Sequence, residues 1–122
     1  MARARKHYSR YYIVRGNQAL WSGDPAEDGS KFRQFLITSN EFNSTVGTFQ
    51  VYGLEGTGKG IRNGKLATSD EEPTMLFDED FDGLEAASKK FGELVTKARS
   101  EGFQEMSFIE LLEFEAKLQG SR

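Results

Sequence analysis

Gly53, Gly58 and Lys59, in the stretch "GLEGTGKG", are spaced like the glycines and lysine of a phosphate-binding loop. Such a loop works because backbone amides curl round the phosphates, the lysine reaches the outer oxygens, and a following Ser or Thr hydroxyl ligates magnesium. Here the position after Lys59 is Gly60, which carries no hydroxyl. A helix should also begin directly after the lysine, so that its N-terminal partial charge faces the anion. "IRNGKLATSDEEP" offers an Asn-Gly turn and a proline instead. Nucleotide hydrolysis is therefore not expected. Gly53, Gly56, Gly58 and Gly60 read as a tight hairpin that bends sharply between two strands, with Lys59 exposed at its tip.

A second stretch, "DEDFDG", puts Asp78, Asp80, Asp82 and Gly83 where a calcium loop carries ligands and its glycine. The closing bidentate glutamate of that loop would fall on Lys89, and the usual aliphatic position on Glu85. The segment reads as an acidic lead-in to a capped helix, and no metal site is expected. Cysteine is absent and His7 is the one histidine, which excludes disulfides, thiol chemistry and a His-rich zinc centre. No carboxylate pair is singled out for acid–base work, so no catalytic residue and no cofactor is expected. Trp21, Tyr11, Tyr12 and Tyr52 could form a ligand platform, but aromatics in strands usually serve packing.

Charge is unevenly placed. The net charge is −3, yet residues 1–15 hold Arg3, Arg5, Lys6, Arg10 and Arg15 with no acid, while residues 70–82 hold seven acids and no base. A basic arm can touch nucleic acid or another polyanion, or it can pair with the acidic segment of its own chain. No apolar run is long enough to span a membrane, and no apolar segment follows the basic start, so an intracellular protein, cytoplasmic or nuclear, is expected.

The elements that would position these residues read as α+β: a small antiparallel sheet of about four strands packed on one long amphipathic helix, plus a C-terminal helix. Residues 1–10 form a basic flexible arm, and residues 11–122 a single domain. "YYIVR" is a short strand ended by "GN", "LWSGDPAEDGS" a loop, "KFRQFLIT" and "TVGTFQVYGL" strands, and "GKLAT" a short strand after the Asn63-Gly64 turn. Asp82 and Glu85 form a capping box for a helix whose stripe is Leu84, Ala87, Phe91, Leu94, Val95 and Ala98, ended by Gly102. Ser107 and Glu110 repeat the box for a helix over residues 107–119. Its apolar residues, Phe108, Ile109, Leu111, Leu112, Phe114 and Leu118, exceed one narrow stripe, so either two surfaces are buried or one awaits a partner.

From residue 30 to about 104 the chain resembles the WGR domain family, on "SKFRQFLITSNEFNS", "TFQVYGLEGTGKG", "GKL" and "FDGLEAASKKFGELVTKARSEGF". Tyr52-Gly53-Leu54 stands where the Trp-Gly-Arg motif would be. The resemblance implies a WGR-like domain that helps recognise DNA, with the motif's cation replaced by Leu54 and with Lys59, Arg62 and Lys65 available for phosphate instead. Two functions are thus expected. The first is a non-enzymatic module that binds DNA or another polyanion through Arg3, Arg5, Lys6, Arg10, Arg15, Lys59, Arg62 and Lys65. The second is a protein-interaction module, an adaptor or inhibitor, that uses Phe108, Leu111, Leu112 and Phe114 or the acidic 70–82 segment as a phosphate mimic.

Overall fold

The computed structural model describes residues 9–25, 27–62, 65–69 and 71–105. In chain order these form β1 (Ile13–Ser22), β2 (Asp28–Ser39), β3 (Thr48–Arg62), β4 (Lys65–Thr68), β5 (Thr74–Asp82), α1 (Leu84–Ser100) and β6 (Gln104–Glu105). All strand pairs are antiparallel, and the sheet runs β4-β3-β2-β1-β6, with β5 also paired to β3. The class is α+β, with an antiparallel sheet and one helix among the described residues. The expected helix over 107–119 lies outside the described residues.

β3 is the spine. Its first half pairs with β2 on one side and β5 on the other, from Thr48↔Asp82 to Glu55↔Thr74. Its far half pairs with β4, from Gly58↔Thr68 to Arg62↔Lys65. Alternation sorts the side chains. Phe49 and Val51 face the helix with Ile37 and Ala87, and Phe35 and Leu20 extend that core to Val95, Ala98 and Phe103. Leu36, Tyr52 and Leu54 pack together on the opposite face with Met75. Both faces of the sheet centre are therefore apolar. Each fully buried aliphatic or aromatic side chain contributes about 1.5–3 kcal/mol, and Phe49, Val51 and Leu20 are all 0% exposed.

The expected helix stripe is the observed one: Ala87, Val95 and Ala98 are buried, and Leu84, Phe91 and Leu94 pack beside them. Its C-terminus closes as a Schellman turn. Phe103 N–H donates to Ala98 O and Gly102 N–H to Arg99 O, with Gly102 at φ 99 where a side chain would be strained. The start differs from the expected capping box. Asp82 ends β5, the cap is Gly83, and no side chain bonds the first turn. Backbone carbonyls of the β2–β3 loop take that role: Gly83 N–H donates to Gly47 O and Leu84 N–H to Thr45 O.

Three further readings are corrected. The acidic 70–82 segment is largely strand β5, whose Phe77 and Phe81 pack toward the helix core, so Asp78–Asp82 are extended and not curled into a calcium loop. Among the described residues no group of metal-ligating side chains comes together. β1 does not stop at "GN". Gly16 and Asn17 lie inside it at a bulge, where a Cβ on Gly16 would sit 3.2 Å from Ile37 Cδ1. The "LWSGDPAEDGS" segment is also shorter as a loop than expected, since Leu20–Ser22 finish β1 and Asp28–Ser30 open β2.

The glycine stretch is the largest correction. Gly53, Gly56 and Gly58 are interior residues of β3, not a bend. The chain reverses after Arg62, and strand rather than helix follows Lys59. The glycines are recesses for rings on β2 and β1. A Cβ at Gly53 would lie 2.5 Å from Phe35 Cδ1, at Gly56 2.5 Å from Phe32 Cζ, and at Gly58 2.9 Å from Trp21 Cζ3. Phe35 and Phe32 stand directly across the β2–β3 ladder from Gly53 and Gly56. An aromatic laid over a cross-strand glycine restores packing that the glycine alone would forfeit. Gly60 has a positive φ, 73, where the register of β3 with β4 shifts, and the register with β5 shifts between Gly53 and Leu54.

Candidate functional site

Among the described residues the expected basic set is divided along β3. Arg10 is held at the first half of β3. Its backbone N–H donates to Gln50 Oε1 at 2.9 Å, and its guanidinium lies 2.7 Å from Asp80 Oδ1 and 3.8 Å from Asp78 Oδ1. Arg15 donates through one nitrogen to Glu41 O and Ser44 O, each at 2.8 Å, with its guanidinium 5.4 Å from the Phe49 ring centroid. Both arginines thus brace the molecule. Pairing with the acidic segment, one of the two alternatives that the charge pattern left open, is seen for Arg10, whereas Arg15 bonds loop carbonyls instead.

Lys59 is exposed near the other end of β3. Arg62 closes β3 and Lys65 opens β4, paired across the turn. Gln50 and Arg62 are roughly 40 Å apart along an extended strand. The acids follow the opposite order, with Asp82, Asp80 and Asp78 beside Thr48, Gln50 and Tyr52. Glu55, Glu71 and Glu72 stand between, lining a cleft of about 150 Å³ with Lys31. Arg3, Arg5 and Lys6 lie outside the described residues, as do Phe108, Leu111, Leu112 and Phe114.

The motif residues have a packing role among the described residues. Tyr52 and Leu54 are buried on the face away from the helix, and Gly53 lies under Phe35 on the helix face. Burial raises the Tyr52 hydroxyl pKa above its ordinary value; a hydrogen bond with Ser9 acts against this, and the nearby Asp78 charge adds to it. Beside it sits a polar knot that sequence reasoning missed. Gln50 is 0% exposed, accepts from Thr38 Oγ1 at 3.2 Å and from the Arg10 amide, and donates to Asp78 Oδ1 at 2.9 Å. A buried amide needs this degree of satisfaction. Its one signal is a polar residue between Phe49 and Val51 on a strand.

Arg33 was also not singled out. It lies half under the Phe103 ring, 4.3 Å from its centroid, and donates to Glu101 Oε1 at 2.6 Å, with Glu55 Oε2 3.9 Å from its Nε. The Arg33 hydrogen bond holds the Glu101 carboxyl below the usual glutamate range, with the Arg33 and Lys97 charges acting in the same direction. These groups border a cavity of about 200 Å³ with Phe35, Leu76, Phe77 and Leu94. An open groove of about 800 Å³ lies at the start of α1, between Val46 and Lys89. Neither Trp21 nor Tyr52 lines any of these three hollows. Among the described residues no helix is long and apolar enough to cross a membrane.

No protein family, curated protein or solved structure matches the chain.

Proposed function

We propose that this protein is a non-enzymatic recognition module of WGR-like fold that contacts nucleic-acid phosphates through the far end of the β3–β4 hairpin. The fold reading is supported by element order. A strand with an extended turn, a strand carrying Tyr52-Gly53-Leu54, a returning strand and an amphipathic helix occur in the order the resemblance implies, with β5 as an additional strand between the returning strand and the helix. The expected C-terminal helix over 107–119 belongs to the same proposal.

The single observation that carries the functional reading is the separation of charge along β3. Lys59, Arg62 and Lys65 share one end, and Asp78, Asp80 and Asp82 flank the other. At physiological salt a charge is screened over about 8 Å. Asp78, Asp80 and Asp82 therefore lie beyond screening range of the hairpin end, where Asp28 pairs with Lys59 across the ladder, while Arg10 and Arg15 are engaged by the chain's own groups. Phosphate contacts of this kind position a nucleic acid without reading its sequence. The test is the affinity of the full chain for blunt duplex, nicked duplex and single-stranded DNA at two salt concentrations. Measurable binding that weakens steeply with salt is expected; undetectable binding to all three at low salt would remove the reading.

A protein-interaction reading is favoured by a different end of the molecule. Tyr12 is 93% exposed, Val14 54%, Phe42 72% and Val46 71%, and Arg15 ties the start of β1 to the loop that carries Phe42 and Val46. Exposed apolar groups concentrated in one place mark contact surfaces. Under this reading an apolar dye binds the native chain and Tyr12→Ser with Phe42→Ser removes the signal.

A further inference from the structure

A hollow of about 200 Å³ lies between α1 and the sheet, and two features of the strands open it. Phe35 and Phe77 stand on either side of Gly53 across the two ladders, so β3 contributes no side chain between them. The register shift between Gly53 and Leu54 leaves Leu76 as an extra residue in β5. Neighbours in a regular strand face opposite sides, yet Leu76 and Phe77 both line the hollow, because a bulge re-aims a side chain. Leu94 closes the apolar wall from α1. A dry apolar cavity of about 150 Å³ holds benzene, so a body the size of one ring fits.

The remaining wall is charged. The Arg33 guanidinium is largely buried, with the Phe103 ring centroid 4.3 Å away. One nitrogen, Nη1, donates to Glu101, while Nε is buried and has no hydrogen-bond acceptor among the described residues. Glu55 Oε2, at 3.9 Å, is too distant to be one. A buried donor without an acceptor asks for a group that supplies one. Lys97 Nζ lies 3.7 Å from the same Glu101 carboxylate, so two cations at the hollow share one partly exposed acid. The geometry points to a binding site for a small monocarboxylate with a ring-sized apolar body. Its carboxylate pairs with Arg33 and Lys97 in place of Glu101, and its body lies between Phe77 and Leu94. A planar guanidinium suits a carboxylate because the pair forms two parallel N–H···O bonds. The inference is independent of nucleic-acid binding.

The probe is sodium benzoate, titrated into the full chain and followed by two-dimensional NMR. Saturable shifts are expected at the Leu76 and Leu94 methyls and at the Arg33 Nε–H, with a Kd on the order of 1 mM, as for so small a ligand. Benzamide has the same shape without the charge and should bind about ten-fold more weakly. Arg33→Gln should lower benzoate affinity about ten-fold. Glu101→Gln removes the competing carboxylate and should raise it about three-fold, the size of an exposed ion pair. Both substitutions break the same Arg33–Glu101 bond, so a merely structural effect would move the affinity in one direction for both. Should Arg33→Gln fail to fold, Glu101→Gln, at a partly exposed position, carries the test with benzamide as the control. Equal binding of benzoate and benzamide would overturn the inference. So would benzoate shifts that never saturate, or a Glu101→Gln chain that binds benzoate no better than the wild type.

Discussion

From Phe49 to Tyr52, β3 supplies side chains; at Gly53, Gly56 and Gly58 it supplies bare backbone. The first stretch fills both sides of the sheet, with Phe49 and Val51 toward the helix and Gln50 and Tyr52 away from it. In the second, Phe35, Phe32 and Trp21 come from β2 and β1 to cover glycines. One strand thus uses opposite means to reach the same density. The difference teaches that a glycine-rich run can be a packing surface, and that its meaning lies in residues elsewhere in the chain.

The comparison breaks most visibly at its side-chain end. Phe49→Ala removes a ring that is 0% exposed and should cost about 3–5 kcal/mol, read as a lower denaturant midpoint with unchanged slope. A cost below 1 kcal/mol would mean that the core is not centred there. At the glycine end, Gly56→Ala forces a Cβ to within 2.5 Å of Phe32 Cζ, and overpacking of this kind costs about 1–3 kcal/mol. The cost should shrink when Phe32→Leu is also present, because the two residues are coupled. A turn glycine at an ordinary φ would behave otherwise, since Ala there restricts the unfolded chain and stabilises. A stabilising Gly56→Ala would therefore restore the hairpin-bend reading.

Two smaller effects sharpen the same contrast through pH. Because burial raises the Tyr52 pKa in the folded state, its contribution is fully present below the ordinary tyrosine value and is lost as pH rises through the folded one. The wild type should thus lose stability relative to Tyr52→Phe above about pH 10, measured by denaturant unfolding on either side of that value. Glu101 has the opposite sign. Its folded pKa is lowered, so its contribution is present above the ordinary glutamate value and is lost as pH falls through the folded one. Glu101→Gln should be slightly less stable than wild type at neutral pH and indistinguishable from it in acid. The side chain lies at the surface, where such pairs contribute little.

Much of the scaffold was legible in local pattern. Alternation located β2 and the start of β3, Asn63-Gly64 located the return into β4, and three- and four-residue spacing identified every residue of the helix stripe. β5 was hidden because Asp78, Glu79, Asp80 and Asp82 surround Phe77 and Phe81, and a charge run reads as loop when the strand beside it is unknown. The glycines misled for a related reason. Their flexibility is a local property, whereas their use depends on Phe35, Phe32 and Trp21, brought opposite only by the register of the sheet. The basic residues could be picked out in the sequence one by one, but not the partners that hold them. Nothing near Arg10 or Arg15 in sequence announces that Asp80 and two loop carbonyls will hold them.

The separation of charge along β3 is tested most directly by comparing two charge-reversed chains against the wild type, using fluorescence anisotropy with a labelled DNA duplex at low salt. One carries Lys59→Glu, Arg62→Glu and Lys65→Glu, and the other Arg10→Glu and Arg15→Glu. Hairpin reversal should abolish binding, and reversal at the acidic end should leave the salt dependence nearly unchanged, since that slope follows the number of phosphates neutralised. Equal losses in the two chains, or binding that survives reversal of the hairpin, would contradict the account.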